Sequence, residues 1–359
     1  MSYPDATFGH LRRLTDNIGL VQHADGVVPL HADGYSVDDV ARGLLVVSRE
    51  PSPPQELIVL GRRYLYFLAQ AQVTGGKFRN HLGHDRQWHG YPGTEDGWGC
   101  SLWALGTAAA RGPTTGIRGE AFTRFCRGAR VSSPSAPAMA FAALGAAEVL
   151  DSHPGHHAAL ALLYRARVAI GDPAADAGWP WPSPRLSYAS AAIAEAIIVS
   201  GHHLGDDRLL GNGLRMLKWL LAIETRDGHL SVVSPHACSP GEVEHRAASD
   251  QRPAEVAALA DACMRAATVT GDNGWLAGVR MCIAWFLGDN DLGLPLLDQQ
   301  TGGCSDGLTA AGRSRNQGAA STLAMIAVLQ HGRQMSAEPT RTARERGESP
   351  PGAGITTKR

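Results

Sequence analysis

The chain has almost no net charge: 33 Lys plus Arg against 34 Asp plus Glu, a formal charge of −1. That balance leaves no basic stripe for nucleic acid and no polybasic anchor for a membrane surface, so neither is expected as a partner. No apolar run approaches the ~18 residues of a membrane span, and the opening MSYPDATFGHLRR has no hydrophobic stretch after its charges; a cytoplasmic location is the expectation. Charges of either sign are scarce, 19% against 44% hydrophobic residues, so the polar surface is thin and much of the chain must lie inside. The cysteines (Cys100, Cys126, Cys238, Cys263, Cys282 and Cys304) include no C-x-x-C pair and read as free thiols in or near the core. His236 and Cys238 with distant Cys304 are the one zinc arrangement worth weighing; the spacing fits no usual ligand pattern, and neither metal nor cofactor is expected.

What the chain does have is a recurring grammar. Six times a polar, Gly- or Pro-marked approach gives way to an Ala-rich run: GYSVDDVARGLLVV from Gly34, TEDGWGCSLWALG from Thr94, SSPSAPAMAFAALG from Ser132, RLSYASAAIAEAII from Arg185, SDQRPAEVAALADAC from Ser249 and RNQGAASTLAMIAVL from Arg315. The intervals hold two helices and a connection each, which implies six helical hairpins. At the second start Asp96 or Thr94 is the expected N-cap. Between these runs lie amphipathic segments beginning near Pro54, His156, Asp206 and Asn273; in the second, Leu160, Leu163, Tyr164 and Val168 line one face.

All-apolar helices alternating with amphipathic ones are what two concentric rings require, because the inner ring has no face to water. The expected fold is all-α, an (α/α)6 toroid over residues 1–335. Short Gly-flanked extended pieces at 77–81, 228–232 and 294–298 read as small hairpins on one rim. Residues 336–359, charged and rich in Pro and Gly without aromatics, are expected to form a disordered tail.

The sequence resembles bacterial (α/α)6-toroid proteins of carbohydrate metabolism, often fused to or encoded beside a glycosyltransferase. The resemblance covers about residues 10–332 and rests on LTDNIGLVQHA from Leu14, GYSVDDVARGL, DRQW from Asp85, EDGWGCSLWALG, DQRPAEVAALADAC, FLGDNDLGLPLLDQQTGGCSDGL from Phe286 and NQGAASTLA. It implies an oligosaccharide or glycan as ligand and a glycosyltransferase as partner. Two positions depart from the family pattern: Val40 stands where Asp-Asp-Asn-Ala-Arg has Asn, and Ser101 where an Arg follows the Glu-Asp run.

In such a toroid the inner helices run parallel and their N-termini surround one funnel, which gathers Asp38, Asp39, Glu95, Asp96, Asp250, Gln251, Asn316 and Gln317. Glycoside cleavage needs two carboxyl groups across the scissile bond, one protonated to protonate the leaving oxygen and one charged to activate water or attack. A helix dipole lowers a carboxylate pKa, which suits a base; Asp39 or Asp250 is the expected base and Glu95 the acid, with Asp96 a cap or sugar-binding group. Acids at helix starts are also what capping selects without catalysis.

Tyr35, Trp88, Tyr91, Trp98, Trp179, Trp181 and Tyr188 fall in approach loops or first turns, where a flat ring can face a sugar; Trp219, Trp275 and Trp285 fall on outer helices as packing. Arg42, Arg86 and Arg252 offer bidentate bonds to an acidic group. Asp289, Asp291 and Asp306 precede the last inner helix and read equally as sugar ligands or turn formers. His81, His84, His229 and His236 keep open a sugar epimerase, in which a His pair acts as acid and base. The leading expectation is a glycoside hydrolase or phosphorylase, and the alternative a non-catalytic glycan-binding or scaffolding partner of a glycosyltransferase.

Overall fold

The computed structural model describes residues 3–186, 188–234, 239–243 and 250–345. The helices are α1 (Gly9–Leu14), α2 (Val37–Arg49), α3 (Gln55–Ala71), α4 (Asp96–Arg111), α5 (Thr115–Gly128), α6 (Ala136–Ser152) and α7 (His157–Ile170). They continue as α8 (Ser190–Leu204), α9 (Asp207–Ile223), the single turn α10 (Pro240–Val243), α11 (Pro253–Thr270), α12 (Leu276–Phe286) and α13 (Ala319–Glu345). Helices α2, α4, α6, α8, α11 and α13 each pack on the next, and α13 returns to α2, which closes a ring. Outside it α3, α5, α7, α9 and α12 each back the inner helix beside them, and short α1 backs α13. This is an (α/α)6 toroid.

The alternation follows from side-chain size and polarity. In α6, every residue from Ala138 to Leu150 is buried, so no face is left for water. In α9 only Leu209, Gly213, Met216, Leu217 and Leu220 are buried, the one-sided stripe of an outer helix. Small residues let the inner helices touch backbone to backbone: a Cβ on Gly106 of α4 would stand 2.1 Å from the carbonyl oxygen of Gly145 on α6.

The sequence reading missed two outer helices. Helix α5 carries its stripe on Ile117, Ala121 and Phe125, at helical spacing but interrupted by glycines and polar residues. Helix α1 is too short to show a period. The N-cap of α4 is Glu95 rather than Asp96 or Thr94, and its side chain makes no capping bond. Helix α13 continues to Glu345, past the boundary expected at 335; residues 346–359 lie outside those described.

Two-residue antiparallel hairpins decorate the loops that enter the inner helices: 24–25 with 28–29, 225–226 with 229–230, 297–298 with 303–304 and 308–309 with 312–313. A three-stranded piece joins Tyr35–Ser36 to His81–Leu82 and Trp88–His89. The extended pieces expected at 228–232 and 294–298 each hold a strand, whereas in 77–81 only His81 does. No helix among the described residues is long and apolar enough to cross a membrane.

Candidate active site

The inner-helix N-termini open on one cavity of about 430 Å³, whose wall includes Asp38, Asp39, Tyr188, Asp250, Gln251, Arg252 and Asp306 together with His23. It brings together four of the six expected helix mouths, those of α2, α8, α11 and α13. Below it the axis narrows to an apolar waist of about 40 Å³ between Arg42, Leu45, Trp103, Phe141 and Leu323.

Asp38 and Asp39, adjacent in the first turn of α2, meet different surroundings. Asp38 accepts from Ser36 Oγ and, at 3.2 Å, from Arg42 Nη1, and its carboxylate is committed to those partners. Asp39 is 3% exposed, and among the described residues no hydrogen bond reaches its carboxyl group; Arg42 Nη1 is 3.9 Å away. Burial, reinforced by the charge of Asp38 and opposed by Arg42, raises its pKa well above the carboxylate range. The helix dipole pulls the other way and is outweighed, because desolvation of a fully buried carboxylate is the larger effect. Asp39 therefore faces the funnel with its pKa raised, a setting that suits an acid better than the base role expected for it.

Arg42 forms the floor. Its guanidinium donates to the Tyr188 hydroxyl and lies 5.8 Å from that ring's centroid and 6.0 Å from the centroid of Phe141. Asp250 lines the same cavity from the approach to α11, in the left-handed region (φ 63). Its Oδ2 accepts from Ser234 Oγ at 2.6 Å, its Oδ1 is 3.9 Å from Arg252 Nε, and its side chain is 45% exposed. The next residue, Gln251, pairs its backbone with Leu308 in both directions, which ties this wall to the loop before α13. Asp306 of that loop folds back onto the backbone, accepting from Gly318 N at 2.7 Å as a cap of the last inner helix. Burial raises its pKa against that hydrogen bond.

Several expected ligands lie elsewhere. Glu95 is exposed and its carboxylate lies over Gly93, where a Cβ would meet Oε2 at 1.9 Å; it is not on the cavity wall. Asp96 is half-buried with its pKa raised by burial, and also lies off that wall. Trp98 is a core residue, 0% exposed, with Nε1 donating to Gly128 O at 3.3 Å. Trp181, 2% exposed, packs on Trp219 with Trp179, plugging the loop against an outer helix. Trp88 packs on Phe67, with Arg79 over its ring. Tyr35 is buried and donates to Asp16 Oδ2 at 2.5 Å. All five rings are spent on packing or local bonds.

Polar groups of the final loops behave similarly. Asp291 accepts from His229 at 2.8 Å and Ser231 at 2.6 Å, and also from Gln251, whose Oε1 accepts from Trp285 Nε1 at 2.9 Å. This buried network holds the loop and removes Asp291 and His229 from the funnel. Gln317 donates to Asp298 at 2.9 Å and accepts from Thr301 at 2.8 Å. Asn316 and Arg86 are exposed, the former accepting from Gly26 N at 3.1 Å. Val40 and Ser101, the two departures from the family pattern, are both 0% exposed, and Ser101 Oγ bonds back to Gly97 O at 2.6 Å.

Two groups near the funnel carry no obvious sequence signal. His23 lies in a short hairpin approach, 3.0 Å from Asp33. Glu255 sits in the first turn of α11 and accepts Ala189 N with both oxygens, at 3.2 and 3.0 Å, bracing the mouth of α8 and hence Tyr188. Among the described residues no group of three or more His, Cys, Asp or Glu is placed to hold a metal ion. His236 and Cys238 lie outside the described residues.

No family model and no curated protein matches the chain. Solved structures do. The chain is similar to a cellobiose 2-epimerase from Bacillus thermoamylovorans, with a TM-score of 0.63 at 10% identity, covering 90% of this chain and 95% of that one. It is similar to a D-mannose isomerase, with a TM-score of 0.61 at 11% identity over 91% and 94% of the two chains. A GH76 alpha-mannanase from Bacteroides thetaiotaomicron gives 0.59 at 11% identity over 85% and 88%. At these identities the likeness shows the toroid fold.

Proposed function

We propose that the protein is a carbohydrate-active enzyme, a glycoside hydrolase that works in the funnel with Asp39 as general acid and Asp250 as the charged partner. The observation that carries the reading is the setting of Asp39: a buried carboxyl group on the wall of an acidic cavity, free of hydrogen bonds from the described residues, where burial raises its pKa. A leaving oxygen placed there meets a proton donor. Asp250 fits the second role because it is half exposed and bonded to a side chain, so water can reach it. Asp38 and Asp306 are engaged by Arg42 and by the backbone of α13.

The similar structures include sugar epimerases, an isomerase and glycosidases, which supports a sugar substrate in general. An epimerase would need an acid and a base close to one carbon. Among the described residues His23 is the single imidazole on the funnel wall, and His229 is locked to Asp291, which supports carboxylate chemistry there.

The test is incubation of the purified chain with a broad glycan panel, with and without phosphate. Release of reducing sugar is expected, and Asp39→Asn and Asp250→Asn each lower it about 10²–10⁴-fold, whereas Glu95→Gln leaves it near wild type. Full activity of Asp39→Asn would overturn the reading.

A further inference from the structure

At the opposite end of the ring, the C-terminal turns of the inner helices enclose a second cavity of about 470 Å³, in the size range of small-molecule sites. The apolar waist separates it from the funnel. Its walls hold charges taken deep out of water. Arg265 bonds Glu148 at 2.8 Å and Asp151 at 3.2 Å, Arg49 bonds Asp261 at 2.7 Å, and Arg333 bonds Glu50 at 2.7 Å. Arg111 approaches Glu148 Oε2 at 2.9 Å but out of line for a hydrogen bond. His331 and His203 lie against Asp261 and Asp151.

Four arginines (49, 111, 265 and 333) are thus matched by four carboxylates (50, 148, 151 and 261). Glu195 is a fifth acid without a cation of its own. Arg265, whose Nη atoms bond Glu148 and Asp151, brings its Nε only to 3.6 Å from Glu195 Oε1, and Glu195 Oε2 is buried with no hydrogen-bond partner among the described residues. Two more wall oxygens accept no hydrogen bond among the described residues, Gln330 Oε1 and Glu148 Oε2, the latter beside the Arg111 guanidinium, and all three residues are at most 6% exposed. These oxygens gather where the negative ends of the inner helix dipoles converge, which favours a cationic donor there.

We propose that this mouth of the toroid is a second binding site, for a small ligand bearing a primary ammonium group whose N–H donors are taken up by Glu195, Glu148 and Gln330. Gln330 Nε2 donates to Val46 O at 2.9 Å and Glu50 Oε2 at 3.2 Å, and Glu148 Oε1 accepts from Arg265 at 2.8 Å, so these side chains are already fixed in orientation. Burial and the neighbouring Asp261 hold the Glu195 carboxyl protonated, with its pKa up to about 8. Entry of an ammonium group beside it releases that proton to solvent, so the cavity takes up one positive charge and gives up another, and its neutrality is kept.

Titration calorimetry of the full chain at pH 7 with D-glucosamine, and with D-glucose as its uncharged near-isostere, tests this. Glucosamine is expected to bind at least about tenfold more tightly than glucose, with a heat whose dependence on buffer ionisation enthalpy reports about one proton released per ligand. Glu195→Gln weakens glucosamine at least about tenfold and abolishes the proton release. Asp39→Asn, in the funnel, leaves glucosamine affinity unchanged. Should Glu195→Gln fail to fold, the buffer dependence of the unaltered chain decides. Equal binding of the two sugars, absence of proton release, or loss of glucosamine binding in Asp39→Asn would each overturn the proposal.

Discussion

Oδ1 of Asp39 lies 3.9 Å from Nη1 of Arg42 one turn along the same helix, near enough for attraction and too far for a hydrogen bond. Asp38, on the other side of that guanidinium, is bonded to it at 3.2 Å. The two neighbours therefore push the Asp39 carboxyl in opposite directions, Asp38 up and Arg42 down, while burial dominates both. If Asp39 is the acid, its ionisation sets the alkaline limb of the kcat/KM profile, since activity is lost as pH rises through its pKa. Removing Arg42 as Arg42→Met is expected to move that limb to higher pH, and Asp38→Asn to move it lower. The measurement is residual hydrolysis against pH for the two variants; shifts of the same sign would remove Asp39 from the role.

The inner ring depends on contact between helix backbones. A Cβ on Gly145 would meet Leu102 O at 2.1 Å, and one on Gly106 would meet Gly145 O at the same distance. Backbone cannot rotate aside as a side chain can, so α4 and α6 must separate. Gly145→Ala is expected to destabilise the fold by about 1–3 kcal/mol or more, despite its better helix propensity. Gly119→Ala on outer α5, where a Cβ meets nothing within 4 Å, should be neutral or stabilising. Chemical denaturation of both variants checks the contrast.

The inner helices were legible in the sequence because a ring without a wet face needs unbroken runs of small apolar residues, and six such runs are visible. Helix α5 was not, because its stripe of Ile117, Ala121 and Phe125 is diluted by Gly116, Gly119 and three arginines. At the site, residue type was legible and surroundings were not. Asp38 and Asp39 are neighbours of one kind, and only the fold decides that one is bonded to Arg42 and the other buried without a hydrogen bond. Trp98 shows the same limit: a first-turn position does not reveal whether a ring turns to the funnel or, as here, to Gly128 O. Glu255, in the first turn of α11, and His23, just before a short hairpin, meet the site from parts of the chain distant in sequence, which no local pattern reports.

At the far mouth, Arg49 and Asp261 join α2 to α11 across the axis, with His331 of α13 on the same Asp261 oxygen at 2.6 Å. Their side chains are 12% and 4% exposed. Asp261→Ala strands a buried guanidinium and is expected to cost about 3–5 kcal/mol, whereas the double replacement Arg49→Met, Asp261→Leu recovers most of that loss. Thermal unfolding of the single and double variants separates the pair from simple loss of packing. A double variant no better than the single would show that the charges hold nothing together.

Glu255 gives a pH dependence of stability with a definite sign. Its carboxyl is buried against Ala189 N, and burial raises its pKa from 4.5 to about 7. The unfolded chain releases this proton near 4.5 while the folded chain keeps it until about 7, so the folded state binds more protons through that window. Stability contributed by the neutral carboxyl is complete below the unfolded value and is lost as pH rises through the window. Glu255→Gln keeps an acceptor for Ala189 N but cannot ionise. The variant and the wild type should therefore have similar stability near pH 4 and diverge above it, with the variant more stable at pH 8 by about 1–3 kcal/mol. Urea denaturation at the two pH values measures the divergence; curves that stay parallel would mean that Glu255 ionises at its ordinary value and that the mouth of α8 is wetter than its burial implies.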